Sequence, residues 1–80
     1  MTTLTLYFRS YCSLCEEMWR ALEMQRARLG FELVVVDVDS DPVLEQSYGA
    51  LVPVVCGPDG KELFHYFIDT NTLDAYFAAR

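Results

Sequence analysis

The chain has 80 residues, of which 52% are hydrophobic and 22% charged, and its formal net charge is −6 at pH 7. This length allows one domain, residues 1–80, and the composition is that of a globular protein rather than a disordered one. The acidic balance leaves no basic surface that could neutralise phosphates, so we expect no nucleic-acid partner.

No apolar stretch approaches the length of a transmembrane helix, so we also expect no membrane association. The first residues, Met1 to Thr3, show no basic segment leading into an apolar one, which is the pattern of a secretory signal. We therefore expect a cytoplasmic protein, and a monomer. In that reducing compartment a close pair of cysteines more often does redox chemistry than serves as a structural disulfide.

Two cysteines lie where a predicted strand gives way to a predicted helix. Residues 4–8 are rich in β-forming side chains, and from Cys15 the apolar residues recur at helical spacing as far as Gly30, a typical helix stop. A helix N-terminus presents unpaired N–H groups and partial positive charge, and both favour a thiolate over a thiol. We therefore predict that Cys12 is the nucleophile and that Cys15, one turn later on the same side, is the resolving thiol.

The charges beside this junction are mixed. Arg9 and the helix terminus favour the Cys12 thiolate, whereas Glu16 and Glu17 oppose it. We therefore expect a modest lowering of the Cys12 pKa and a protein that acts as a reductant rather than as a strong oxidant.

The cysteine pair could also belong to a zinc site or form a structural disulfide. Zinc normally takes four ligands, and beyond the pair the chain offers only Cys56 and His65. A structural disulfide across so short a loop would restrict the unfolded chain little. We favour the redox interpretation, and expect Cys56 to be a packed core thiol and His65 to be a hydrogen-bonded structural residue.

The rest of the chain predicts an α/β domain. Near-continuous hydrophobicity over residues 31–39 indicates a strand covered on both sides, which completes a right-handed βαβ unit with parallel strands. A short helix should follow, capped just before Pro42 and ending near Gly49. A tight turn at residues 57–60 should join two antiparallel strands, and a last helix capped by one of residues 69–71 should end the domain. The two strands of this hairpin are residues 54–56 and 61–66. The expected core aromatics are Trp19, Phe31, Phe64, Tyr66 and Phe77.

The order βαβαββα, with C-x-x-C at the start of the first helix, resembles the thioredoxin-like fold in the form that glutaredoxins use. Residues 7–15, Tyr-Phe-Arg-Ser-Tyr-Cys-Ser-Leu-Cys, resemble the family's strand, basic residue and C-x-x-C. Residues 48–54, Tyr-Gly-Ala-Leu-Val-Pro-Val, resemble its segment that contains a cis-proline. C-x-L-C followed by acidic residues is similar to a branch of short bacterial glutaredoxin-like proteins. The resemblance implies one glutaredoxin-like domain with a four-stranded mixed sheet and helices on both faces.

The resemblance also implies a dithiol–disulfide oxidoreductase that acts on protein or small-molecule disulfides and binds no cofactor or metal. Either glutathione or a reductase would regenerate its reduced pair. Arg9 takes the place of the family's lysine, where a cation can help both the thiolate and a glutathione carboxylate. Tyr11 takes the place of an aromatic flanking the disulfide. A cis bond to Pro53 would leave the N–H and C=O of Val52 free to pair with an extended substrate. Asp69 would supply part of the contact to the γ-glutamyl end of glutathione.

The chain departs from the family at two places. Glutaredoxins that use glutathione well carry a Gly-Gly pair before the last helix, where this chain has Phe-Ile-Asp-Thr at residues 67–70. The proline of the common C-P-Y-C motif is replaced by Ser13, which leaves a backbone N–H free at the helix start. Two alternatives therefore stay open: an iron–sulfur or metal-binding dimer to which each subunit contributes Cys12, and a redox-inert thioredoxin-fold protein that docks a partner.

Overall fold

The computed structural model describes residues 1–79 and contains the predicted βαβαββα order. Within these residues, none of the helices combines the length and the hydropathy that crossing a bilayer requires. The elements are β1 Thr3–Phe8, α1 Ser13–Leu29, β2 Glu32–Asp37, α2 Pro42–Tyr48, β3 Val54–Cys56, β4 Glu62–His65 and α3 Thr70–Ala78.

The four strands form one mixed sheet in the order β2-β1-β3-β4. β1 and β2 run parallel, with Thr3 opposite Glu32 and Phe8 opposite Asp37. β3 is antiparallel to both β1 and β4. The predicted mixed sheet is therefore confirmed, and β2 and β4 form its two edges.

Helices cover both faces of the sheet, as predicted. The alternating residues Leu4 and Leu6 of β1 face the side on which α1 and α3 pack, because side chains in a strand alternate between faces. On the other face, the ring of Tyr7 stacks on Tyr48 of α2, with ring centroids 4.3 Å apart. The buried core cluster is Leu4, Leu6, Met18, Leu22, Phe31, Val55, Phe64 and Leu73.

Helix caps set the boundaries of the helices. Cys12 is the N-cap of α1, and Gly30 ends this helix with φ 71°, a left-handed conformation that glycine adopts without steric cost. Asp41 caps α2 with Pro42 at its start. Of the three candidates for the cap of α3, the structure selects Asp69.

The prediction for residues 31–39 was wrong in two respects. β2 ends at Asp37, whose carboxylate accepts a hydrogen bond from the Asp39 N–H at 2.9 Å and begins a single 3₁₀ turn at Val38–Ser40. β2 is also not covered on both sides. It lies at an edge of the sheet, and Val34 and Val35 are 46% and 45% exposed.

Two of the five predicted core aromatics are at the surface. Trp19 is 45% exposed and Tyr66 39% exposed, whereas Phe31 and Phe64 are buried. Phe77 is half-buried against the core cluster. The prediction for Cys56 is confirmed, since its thiol is buried in β3. His65 is hydrogen-bonded as expected, with Nδ1 2.6 Å from Oε2 of Glu62.

Candidate active site

The cysteine pair lies at the N-terminus of α1, as the sequence predicted. Cys12 and Cys15 form a disulfide, with their Cα atoms 5.2 Å apart. The Cys15 N–H donates to Sγ of Cys12 at 3.1 Å, because Cys12 has extended backbone at the cap position. After reduction, this N–H would be in place to donate to a Cys12 thiolate, and the positive end of the helix would favour the same charge.

The two sulfurs differ in accessibility. Cys12 is half-buried at the mouth of the helix, whereas Cys15 is buried, with 4% of its surface exposed. The side chain of Cys15 shares the core-facing side of α1 with Met18 and Leu22. An incoming disulfide can therefore approach Cys12 much more readily than Cys15.

The loop before Cys12 turns sharply. Tyr11 has φ 58°, a left-handed conformation that is uncommon outside glycine, and its side chain is fully exposed. The loop therefore presents an exposed aromatic ring at the residue next to Cys12. A role for Tyr11 in covering the reacting sulfurs stays a prediction.

The Arg9 side chain is engaged by two carboxylates. Its guanidinium donates to Asp39 at 2.8 Å, to Glu45 at 3.1 Å and to the carbonyl of Gly49 at 3.2 Å. The hydrogen bond from Arg9 lowers the pKa of Asp39. These contacts tie the loop after β1 to α2, and the predicted contact of Arg9 with a substrate carboxylate stays untested. Sequence reasoning missed both acidic partners, which lie 30 and 36 residues away along the chain.

The Val52–Pro53 peptide bond is cis, as the resemblance implied. The carbonyl of Pro53 accepts a hydrogen bond from the Tyr66 N–H at 2.9 Å, and the Tyr66 hydroxyl donates to the carbonyl of Ala50 at 3.0 Å. Tyr66, which the sequence placed in the core, therefore holds this loop from the outside. Pairing of Val52 with an extended substrate stays a prediction.

Asp69 is placed at the start of α3, where its carboxylate already has partners. One oxygen accepts from the Thr72 N–H at 3.0 Å and the other from the Thr72 hydroxyl at 2.8 Å. These hydrogen bonds, the backbone one first, lower the pKa of Asp69. The cap explains why an acid stands here, and the proposed contact with glutathione remains a prediction.

A groove of about 820 Å³ opens beside the disulfide, between α1 and the edge strand β2. Both cysteines line it, together with the apolar side chains of Phe8, Trp19 and Val35. The sequence did not indicate this groove, because Trp19 and β2 were both assigned to the interior. A smaller cavity of about 130 Å³ lies on the β4 side of α1, between Met18 and residues 66–68.

Across residues 1–79, no three His, Cys, Asp or Glu side chains are grouped so that they could hold a metal ion. Cys56 and His65, the two further residues that a zinc site would need, are engaged elsewhere. Cys56 is buried beside Tyr48, and His65 is paired with Glu62. The cysteine pair therefore has no additional ligands within the described part of the chain.

Comparison with known proteins gives consistent matches over nearly the whole chain. The model of the glutaredoxin-like domain (DUF836) matches residues 3–78. The solution structure of protein Ne2328 from Nitrosomonas europaea is 38% identical, covers 94% of this chain and 89% of its own, and has a TM-score of 0.85. The X-ray structure of XcR50 from X. campestris is 39% identical, covers 96% and 97%, and has a TM-score of 0.77.

More distant matches define the fold. Thioredoxin 1 from Thermosipho africanus is 18% identical, covers 96% of each chain and has a TM-score of 0.67, which supports the thioredoxin-like fold alone. Uncharacterized protein Rv0508 of Mycobacterium tuberculosis is 31% identical over 91% of this chain and 79% of its own. The predicted α/β thioredoxin-like fold is therefore confirmed.

Proposed function

Because the chain belongs to the glutaredoxin-like domain family of the thioredoxin superfamily, we propose that it is a dithiol–disulfide oxidoreductase in which Cys12 attacks and Cys15 resolves. The family and the bonded cysteine pair support a thioredoxin-like redox role, and the specific reaction is our proposal. The observation that carries it is the position of Cys12. Cys12 is half-buried and its sulfur accepts a hydrogen bond from the Cys15 N–H, whereas Cys15 is buried.

The proposed reaction begins with the reduced pair. The Cys12 thiolate attacks one sulfur of a substrate disulfide, so that a new S–S bond forms as the substrate bond breaks. The departing substrate sulfur leaves as a thiolate and takes a proton from water. Cys15 then gives up its proton, and its thiolate attacks Sγ of Cys12, which releases the second substrate thiol. The substrate gains two electrons and two protons, and the enzyme is left with the Cys12–Cys15 disulfide.

Regeneration reverses these steps with an external thiol. Two molecules of a low-molecular-weight thiol, with glutathione as the candidate, become oxidised to their disulfide while the pair returns to two thiols. Such a thiol pool exists in the reducing cytoplasm, which we propose as the location. On the substrate side, we propose that the main chain of Val52 pairs with an extended substrate and that Tyr11 covers the reacting sulfurs.

The experiment compares three single variants in the reduction of bis(2-hydroxyethyl) disulfide with glutathione as the electron donor. We expect Cys12→Ser to abolish turnover and Cys15→Ser to accumulate a mixed disulfide, visible as added mass. Cys56→Ala is the matched control, because it removes a thiol that lies outside the reacting pair. Undiminished turnover by Cys12→Ser would exclude the proposed mechanism.

The same preparations distinguish the alternatives that the sequence left open. Iron and sulfide in anaerobically purified protein would indicate the cluster-binding dimer. A cysteine pair that fails to equilibrate with glutathione redox buffers would indicate a redox-inert docking protein. A metal-free protein whose pair cycles in those buffers would support the oxidoreductase.

A further inference from the structure

The outer edge of β2 has backbone groups directed away from the sheet. The Glu32 N–H donates to the carbonyl of Thr2 at 2.8 Å, so this residue faces β1. Successive residues of a strand point their backbone groups to opposite edges, so those of Leu33 and Val35 point outward. Among residues 1–79, no other strand lies beyond β2 in the sheet. The edge is therefore open to pairing with an added strand.

The side chains beside this edge form the apolar part of the groove. Val35 lies opposite Leu6 in the register and therefore faces the α1 side of the sheet. Val35 and Trp19 are both 45% exposed and line the groove together with Cys12. An added residue opposite Val35 would send its side chain to the same face, against Trp19. A strand added at this edge would thus fill the groove next to the reacting sulfur.

The charges at the edge determine which strand fits. Glu32 and Asp37 stand at the two ends of β2, and Glu16 lines the groove. Arg9, the one cation among the residues that line it, already faces Asp39 and two further acceptors. A second copy on this edge would bring together the acidic ends of two β2 strands, in two chains that each carry a net charge of −6. The acidic ends instead complement basic residues.

We propose that a partner polypeptide with an apolar centre and a basic residue at each end docks as a fifth strand on β2, with its central side chain in the groove. This inference rests on the proposed function, because the docked segment would deliver a disulfide to Cys12. It places a flanking strand of the protein partner on the β2 side of the disulfide, in addition to the proposed pairing of Val52 with the segment that carries the substrate disulfide. Main-chain hydrogen bonds supply affinity in such pairing, and the pocket and charges supply selectivity.

The test uses the oxidised protein, labelled with ¹⁵N, and the peptide acetyl-Lys-Thr-Phe-Val-Val-Lys-amide. In antiparallel pairing with its phenylalanine opposite Val35, this peptide places one lysine opposite Asp37 and the other opposite Glu32. We expect the peptide to shift the amide signals of Leu33 and Val35 and the indole signal of Trp19. A control peptide with glutamate in place of both lysines should bind much more weakly, because it meets Glu32 and Asp37 with like charge. Equal binding of the two peptides would overturn the proposed selectivity.

Matched variants locate the surface. Val35→Lys should weaken peptide binding about tenfold, because it removes the apolar wall of the groove and adds a charge that repels the lysines. Val43→Lys makes the same change at an exposed valine on α2 and should leave binding unchanged. Dispersed NMR spectra of both variants establish that they are folded.

Several results would overturn the proposal. These are signal changes centred on Val52 and Tyr66 instead of β2, equal losses in the two variants, no binding at millimolar peptide, and self-association of the protein through β2. Because the oxidised protein is titrated without turnover, a failure here leaves the proposed enzyme standing. Conversely, a lack of turnover in the variant experiment would leave the docking result unaffected.

Discussion

Reduction of the Cys12–Cys15 disulfide should lower the free energy of unfolding by at most about 2 kcal/mol. The two cysteines are three positions apart, so the disulfide closes a loop of four residues. In the chain-entropy estimate, a loop of this size restricts the unfolded chain by about 6 cal/mol/K, which is about 1.9 kcal/mol at 25 °C. Longer disulfide loops contribute more, so this pair stabilises the fold only modestly.

The reduced state recovers part of this loss. A Cys12 thiolate would keep the hydrogen bond from the Cys15 N–H and the favourable field of α1. The folded pKa of the Cys12 thiol would then lie below its unfolded value. The stabilisation of the reduced protein by the thiolate is therefore complete above the unfolded pKa of about 8.5 and is lost as pH falls through the folded pKa. The stability gap between oxidised and reduced protein should therefore narrow as pH rises toward the unfolded thiol pKa of about 8.5.

The difference in stability between the oxidised and reduced protein also shifts the reduction potential of the cysteine pair. In a closed thermodynamic cycle, two free-energy differences are equal. One is the amount by which the oxidised protein is more stable to unfolding than the reduced protein, and the other is the amount by which disulfide formation is more favourable in the folded than in the unfolded chain. A gap of about 2 kcal/mol corresponds to a potential about 40 mV more negative in the folded than in the unfolded chain. This is the sense expected of a reductant.

Urea unfolding of the protein with and without dithiothreitol, at several pH values, measures the gap. The double variant Cys12→Ser with Cys15→Ser is the control and should not respond to the reductant, because only the buried Cys56 remains. A reduced form more stable than the oxidised one at pH near neutrality would refute the reasoning and would make the folded pair more oxidising than in the unfolded chain.

Three further predictions concern the fold around the site. Asp39→Asn should lower the free energy of unfolding fully above the unfolded Asp pKa of about 3.9, and progressively less as pH falls below it. The reason is that Arg9 lowers the folded pKa of Asp39, so the stabilisation is lost as pH falls through that folded pKa. Urea unfolding over this range tests it, and a pH-independent difference would contradict it. Leu22→Ala should lower the free energy of unfolding by about 3–4 kcal/mol in the same assay, because Leu22 is fully buried. Met24→Ala, at an exposed position, should lower it by less than about 0.5 kcal/mol. Similar losses in the two variants would argue against the described core. Cys56 should resist alkylation at neutral pH until denaturant is added, because burial raises the pKa of its thiol, and rapid labelling detected by mass spectrometry would show otherwise.

The features that the sequence predicted correctly depend on short-range signals. Gly30 ends α1 because its left-handed backbone suits glycine, and Asp69 caps α3 because a carboxylate can reach the third N–H beyond it. The position of Cys12 at the mouth of α1 follows from the same rules. These signals span a few residues, so they can be read without knowing how the strands assemble.

The features that were missed depend on long-range assembly. Whether β2 is central or at an edge is decided by where β3 returns to the sheet, and β3 pairs with β1 instead. The hydrophobic run of β2 is the same in either case. The partners of Arg9 lie on the 3₁₀ turn and α2, and no local pattern links them to the loop after β1.

The composition of β2 does not match its position, because its residues are those of an interior strand but the strand lies at an exposed edge of the sheet. An open apolar edge invites unwanted strand pairing, and proteins usually protect such edges with charge. Here the charge is confined to the two ends, at Glu32 and Asp37, and Val34 and Val35 between them are exposed. Carboxylates so placed repel another copy of this acidic chain without covering the centre of the strand. The edge is therefore protected against self-pairing while its apolar centre, beside the disulfide, stays accessible.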